Sequence, residues 1–152
     1  MIHLAMRNES KRKGSSLYRR DELTHLAERI CRGEGMTTES ELSLLLCDDP
    51  CIQELNRTYC GVNAATDVLA FSQSWKRPQG VPVLGDIVIS LETVDRFCES
   101  DRRAMHDEVR LLFCHGLLHL LGHTHDSKKG RQHMLEKQAL YLFRDLESSW
   151  HW

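Results

Sequence analysis

TDVLAFS at residues 66–72 and VLGDIVIS at residues 83–90 decide how this chain folds. The first carries Val68, Leu69 and Phe71 and the second Val83, Leu84, Ile87, Val88 and Ile89, the composition of strands. The loop between them carries Pro78, Gly80 and Pro82. Joined by such a loop, the two runs can pair antiparallel, so the sheet they enter need not be wholly parallel. Upstream, IHLAM at 2–6 can form a strand, and the polar stretch 7–20 begins as a loop. Residues 21–33 place Leu23, Leu26, Ala27 and Ile30 at helical spacing, with Gly33 as a stop. ELSLLLCDD at 41–49 is a β-like run. Asp49 can cap a helix that follows, with Pro50 at its first position. Downstream, Ser90 can cap a helix from Leu91 to about Glu99. Residues 104–122 carry Val109, Leu112, Phe113, Leu117 and Leu120 on one face, and Gly122 ends that helix. Residues 127–148 read as a last amphipathic helix, with Met134, Leu135, Leu140, Leu142 and Phe143. The pattern predicts an α/β (α+β) fold: one domain over 1–152, a small mixed four-stranded sheet covered by helices.

Composition narrows the class. The chain has 152 residues, 41% hydrophobic and 28% charged, ordinary values for a globular protein with a real core. No apolar run approaches the roughly 18 residues of a membrane span. MIHLAMRNESKRKG lacks the apolar core and cleavage site of a secretory leader, so a cytoplasmic protein is expected. A net charge of −2 gives no global basic field to steer nucleic acid. Basic residues are nevertheless grouped at Lys11–Lys13, Arg19–Arg20, Arg102–Arg103 and Lys128, Lys129 and Arg131. Such groups bind phosphate where the fold makes them converge. The six cysteines form no CxxC pair and read as reduced, mostly core thiols. Cys47 and Cys51 could share a metal only if the turn between them brought them together.

The chemistry concentrates in HGLLHLLGHTHD, residues 115–126. Residues four apart lie on one face of a helix, so His115 and His119 can present two imidazoles to one metal ion at the end of a central helix. Gly122 then frees the chain to turn, and His125 follows. The spacing H-x3-H-x2-G-x2-H is that of the metzincin zinc proteases. His123 is the rival third ligand, but it follows the helix-ending glycine at once, with little chain in which to turn. His125 is therefore favoured, and His123 is read as a neighbour, either a proton shuttle or a partly exposed polar side chain. Three histidines leave a zinc site open to water or substrate. Neutral imidazoles without a thiolate suit zinc, though nickel, copper or cobalt would also bind. Cys114 lies about 100° round the helix and is not expected to share the metal. Asp126 could support a ligand histidine or cap the last helix. His106 and His133 are expected at the surface. The glutamate that serves as base in zinc proteases is absent; Gly116 stands in its place. Peptide hydrolysis is thus disfavoured. Phosphodiester cleavage asks less of such a base, because a metal polarises the phosphoryl oxygen and lowers the pKa of bound water to about 7. In RNA the 2′-OH is an internal nucleophile.

With these residues in view, the chain resembles the YbeY family of bacterial metal-dependent endoribonucleases. Its signature, close to HGxLHLxGYDH, stands here as HGLLHLLGHTH at 115–125. A second segment, LN-x-x-Y-R-x-x-D-x-PTDVLSF, is similar to LNRTYCGVNAATDVLAF at 55–71, and LGDI stands at 84–87. The resemblance covers about residues 40–147. It implies a small α/β fold with a mixed sheet and a metal, usually zinc, on His115, His119 and His125. It further implies single-strand-specific endoribonuclease activity in 3′-end maturation of 16S rRNA and in ribosome quality control. The expected partners are rRNA and ribosome-associated proteins. Asp86, which matches the family, is a candidate catalytic residue that could orient a ligand or substrate. Asn63, Thr66 and Asp67 are candidate substrate-binding residues. The family's Arg falls on Cys60, its Asp on Asn63 and its Pro on Ala65; its Tyr and Asp fall on His123 and Thr124. A thiol supplies neither permanent charge nor bidentate donors, so either another segment, such as Arg57 or Lys76–Arg77, supplies the cation or activity is weak. The alternatives are a non-cleaving RNA-binding or ribosome-assembly factor that retains its zinc site and, less favoured, a metallopeptidase.

Overall fold

The computed structural model describes residues 1–12, 17–73 and 80–150. Lys13, Lys76, Arg77 and Pro78 lie outside the described residues. Four strands, β1 (Ile2–Asn8), β2 (Ser40–Cys47), β3 (Val68–Ser72) and β4 (Val83–Ser90), form one sheet in the order β1-β2-β4-β3. β1 and β4 both run parallel to β2, whereas β3 pairs antiparallel with β4, with Phe71 opposite Asp86. The sheet is mixed for the reason its sequence suggests: 66–72 and 83–90 fold back on each other.

Alternation sorts the side chains between two faces. Leu42, Leu44 and Leu46 of β2 and Ile87 and Ile89 of β4 are buried in the larger core. That core is covered by α1 (Arg20–Gly33), α4 (Arg102–Leu120) and α5 (Lys128–Leu142). The intervening Cys47 and Val88 pack with Ile52 of α2 (Asp49–Cys60) in a smaller cluster. α3 (Leu91–Phe97) follows β4 directly, and Ser90 caps it, accepting from Thr93 N at 3.2 Å.

Several helix ends differ from expectation. Asp48, not Asp49, occupies the N-terminal cap position of α2, where its side chain makes no hydrogen bond to the helix and instead accepts from Ser10 and Lys11; Asp49 lies inside the helix. Asp49 Oδ1 accepts from Ser90 Oγ at 2.7 Å and Thr93 Oγ1 at 2.6 Å, and Arg96 pairs with Oδ2 at 3.2 Å. Its carboxylate ties α2 to α3 and is therefore not spent on its own helix. α4 starts at Arg102, where Asp101 accepts from Ala104 N. α5 is shorter than the span 127–148. Phe143 turns left-handed at φ 55°, and a short 3₁₀ turn (Glu147–Ser149) follows. This break redirects the end of the chain towards α4.

Candidate metal centre

The site is built on the last turns of α4. Gly116 lets this helix lie close to the sheet: a Cβ there would stand 3.1 Å from Ile87 Cγ2. His115, one residue earlier, is buried. His119 lies one turn on and is half-buried, and His125 is exposed. Gly122, at φ +100°, ends the helix in a Schellman arrangement. Its N–H bonds to the carbonyl of His119 and that of His123 to the carbonyl of Leu118, each at 3.0 Å. The chain then doubles back and brings His125 to the other two histidines.

The three ligand atoms lie within 4.8 Å of one another, the one such group among the described residues. The Nε2 atoms of His115 and His119 are 3.1 Å apart. Two nitrogens on a tetrahedral zinc, each bonded at about 2.0–2.1 Å, stand about 3.3 Å apart, so this spacing fits a shared divalent ion. Burial, followed by the nearby charge of His125, lowers the pKa of His119 below its usual range. It is thus kept in the neutral form that a metal requires.

His115 is oriented from behind. Its Nδ1 is 2.8 Å from Oε1 of Gln138, a fully buried residue of α5. The other end of the Gln138 amide donates to the carbonyl of Ser149. That bond fixes the amide's orientation and places the imidazole proton on Nδ1, leaving the Nε2 lone pair to face the cluster. Trp150, the next residue, packs edge-on against His115 and His125 at centroid distances of 5.2 and 5.5 Å. Neither Gln138 nor Trp150 was legible as a site residue; only tertiary packing joins them to the histidines.

His123 is turned away from the cluster. It is hydrogen-bonded to Glu34, which also accepts from Tyr141 Oη and pairs with Lys137 at 3.1 Å. Its ring stacks on exposed His133. Asp126 does not cap α5; Ser127 does, accepting from Gly130 N. The charge of Asp126 nonetheless acts on His119. His106, expected as a plain surface residue, is half-buried and pairs with Glu22 at 2.8 Å.

A cleft of about 440 Å³ opens over the histidines, and Thr66, Asp67 and Leu69 are among the residues of its facing wall. Two of the proposed substrate residues are thus beside the cluster. Asn63 is not among the cleft-lining residues; it is exposed and accepts from Gln53 at 3.2 Å. Asp86 is not brought there either. Ile87 faces α4, so Asp86 points to the other side of the sheet. There it accepts from Ser43 Oγ and Gln73 Nε2, each at 2.5 Å, and lines a larger hollow of about 880 Å³. The smaller cleft is the one that carries metal-binding chemistry. Cys60 is exposed at the end of α2, and Arg57 is already paired with Glu54 at 3.1 Å.

An α/β scaffold with an open cleft over three convergent imidazoles defines an α/β protein fitted for a divalent metal. Residues 5–144 match the family Endoribonuclease YbeY. The Endoribonuclease YbeY of Moorella thermoacetica is 40% identical over 128 residues, covering 79% of this chain and 82% of that protein. The chloroplastic Endoribonuclease YBEY of Arabidopsis thaliana is 44% identical over 106 residues, covering 67% of this chain and 18% of that longer protein. A solution structure of a Thermotoga maritima protein superposes with a TM-score of 0.60 at 26% identity, covering 93% of this chain and 87% of that one. The chain belongs to the YbeY endoribonuclease family.

Proposed function

We propose that this protein is a metal-dependent endoribonuclease that cuts single-stranded RNA, with one zinc ion on His115, His119 and His125. Its work would be 3′-end maturation of 16S rRNA and ribosome quality control in the cytoplasm, alongside rRNA and ribosome-associated proteins. The observation that carries the reading is the convergence of three imidazole nitrogens within 4.8 Å at the floor of an open cleft. The donor set is all nitrogen, which suits zinc and also admits nickel. A bound divalent ion would polarise a phosphoryl oxygen of the substrate. The remaining roles fall to side chains. Gln138 holds His115 in the tautomer that presents Nε2. Thr66 and Asp67, which line the cleft beside the histidines, would position the RNA strand. Gly116 has no side chain to take a proton, which favours a substrate that carries its own nucleophile, as RNA does. No helix among the described residues is long and apolar enough to cross a membrane.

The test is cleavage of a single-stranded RNA by purified protein, after chelation and after zinc is returned. Activity should vanish with chelator, return with zinc, and be absent from His115→Ala. Metal-loaded wild type that cuts no faster than His115→Ala would overturn the reading. Cys60 motivates a second reading, a non-cleaving RNA-binding or assembly factor, because the family's Arg position carries no charge here. Cys60→Arg separates the two. Faster cleavage with unchanged RNA binding supports an enzyme, and inactivity of both proteins supports a binding role.

A further inference from the structure

Gln138 does more than face His115. It is fully buried on α5, and its two amide ends serve two different segments. Oε1 accepts from a proposed metal ligand, and Nε2 donates to the backbone of the chain's last described turn. That turn is held elsewhere too. The Ser149 hydroxyl, on a fully buried residue, donates to the carbonyl of Asp145 at 2.6 Å. Ser148 N bonds to Asp145 Oδ1 at 2.8 Å. One residue beyond Ser149, the Trp150 ring packs edge-on against both His115 and His125. The turn thus meets the cluster by two routes, one through an amide and one through a ring.

We infer that Gln138 couples the metal site to the turn at 145–150, so that a metal on the histidines and a docked Trp150 stabilise each other. The inference rests on the metal-site reading above. An amide suits this position because it carries its acceptor and its donors on separate atoms, one turned to His115 and the other to Ser149. With Oε1 committed to His115, the Nε2 donors are left to hold the Ser149 carbonyl. If His115 loses its partner its ring can rotate, and Nε2 no longer points at the other histidines. If the turn undocks, Trp150 no longer restrains the rings of His115 and His125. Coupling of this kind is reciprocal: whatever factor the docked turn adds to metal affinity, the metal adds to docking of the turn.

Two readouts other than cleavage test it on the full chain: zinc affinity from competition with a chromophoric chelator, and amide hydrogen exchange of residues 145–150 with and without zinc. In wild type, zinc should slow exchange across the turn. Gln138→Leu should weaken zinc binding about tenfold, as removal of a partner behind a ligand histidine does, and should abolish the slowing. Gln138→Glu keeps an acceptor for His115 but offers no N–H to Ser149. It should bind zinc within about threefold of wild type while the turn exchanges fast whether zinc is present or not. Urea midpoints of the zinc-free proteins check that both variants fold. Wild type that binds no zinc would overturn the metal-site reading and the coupling with it. Zinc binding without any change in exchange of the turn would overturn the coupling alone. So would a folded Gln138→Leu with wild-type zinc affinity.

Discussion

Gly116→Glu would complete the protease-like motif that this sequence leaves open, and the structure predicts that it fails. A Cβ at 116 would meet Ile87 Cγ2 at 3.1 Å, Cγ1 at 3.4 Å and Cδ1 at 3.5 Å. Ile87 is fully buried, so the new side chain starts out against the core. Replacing a helical glycine gains about 1 kcal/mol of helix propensity. Crowding a packed core costs about 1–3 kcal/mol. Gly116 also lines the open cleft, so the carboxylate stays in water only if the side chain turns away from Ile87; held against the core, it costs several kcal/mol more. The balance for Glu is a loss of roughly 3 kcal/mol or more. For Ala, which adds one methyl and requires Ile87 to yield by tenths of an ångström, the balance lies near zero, within about 1 kcal/mol. Urea denaturation of wild type, Gly116→Ala and Gly116→Glu measures both balances, and a peptide-library assay with zinc reads peptidase activity. A Gly116→Glu protein as stable as wild type that also cut peptides would refute the reasoning. It would mean that position 116 opens freely into the cleft and that the missing base is an accident of this sequence.

Three further substitutions check other joints of the structure. Gly85 sits at φ +149°, where an added Cβ would lie 2.3 Å from the backbone oxygen of Phe71; Gly85→Ala should cost about 3 kcal/mol or more and lower the urea midpoint, and an unchanged midpoint would show that β3 and β4 do not need the close approach at Gly85. Burial alone would push the Glu34 carboxyl up, but hydrogen bonds from Tyr141, His123 and Lys137 hold it down at about 2, against an ordinary value of 4.5. Because the folded value is the lower one, this stabilisation is present above about pH 4.5 and is lost as pH falls through about 2. Glu34→Gln should therefore destabilise by about 1–3 kcal/mol at pH 7 and by less at pH 3.5, and equal penalties at both would contradict it. Ser90 both caps α3 and donates to Asp49, so Ser90→Ala should cost about 1–2 kcal/mol in the same denaturation experiment; no loss would show that the contact between α2 and α3 does not depend on that hydroxyl.

What the sequence disclosed was local chemistry. The apolar runs ELSLLLC and VLGDIVIS gave β2 and β4, because short stretches of such residues favour the pleated, half-buried strand whatever the tertiary context. The Pro/Gly loop between the two runs allowed the antiparallel β3–β4 pair that the fold adopts. What remained hidden depends on distant packing. Glu34 and His123 lie 89 residues apart in the chain and His115 and Gln138 lie 23 apart, and no periodicity links either pair. The left-handed Phe143 that ends α5 had no glycine to mark it. Asp86 shows the opposite hazard. Membership in a shared motif suggested a place at the site, but the strand's two-residue period sends it to the other face. Adjacency in a motif is adjacency along the chain, and in a strand that implies opposite directions.

The choice between His123 and His125 as third ligand turns on the same distinction. Gly122 does not merely stop α4. Its positive φ lets the N–H groups of Gly122 and His123 bond back to His119 and Leu118, which fixes the direction in which the chain leaves the helix. His123 belongs to that closing turn, so its ring goes where the turn points it, against Glu34 at the end of α1. Only after the turn is complete can the backbone reverse, and His125 is the first histidine beyond it. The glycine and the two residues that separate it from His125 thus act as one device, which sets a third imidazole within 4.8 Å of two that the helix had already aligned. A non-glycine residue at 122 would have to adopt φ +100° to preserve that geometry. The strain would therefore appear first as a weaker metal site, even with open space around the added Cβ.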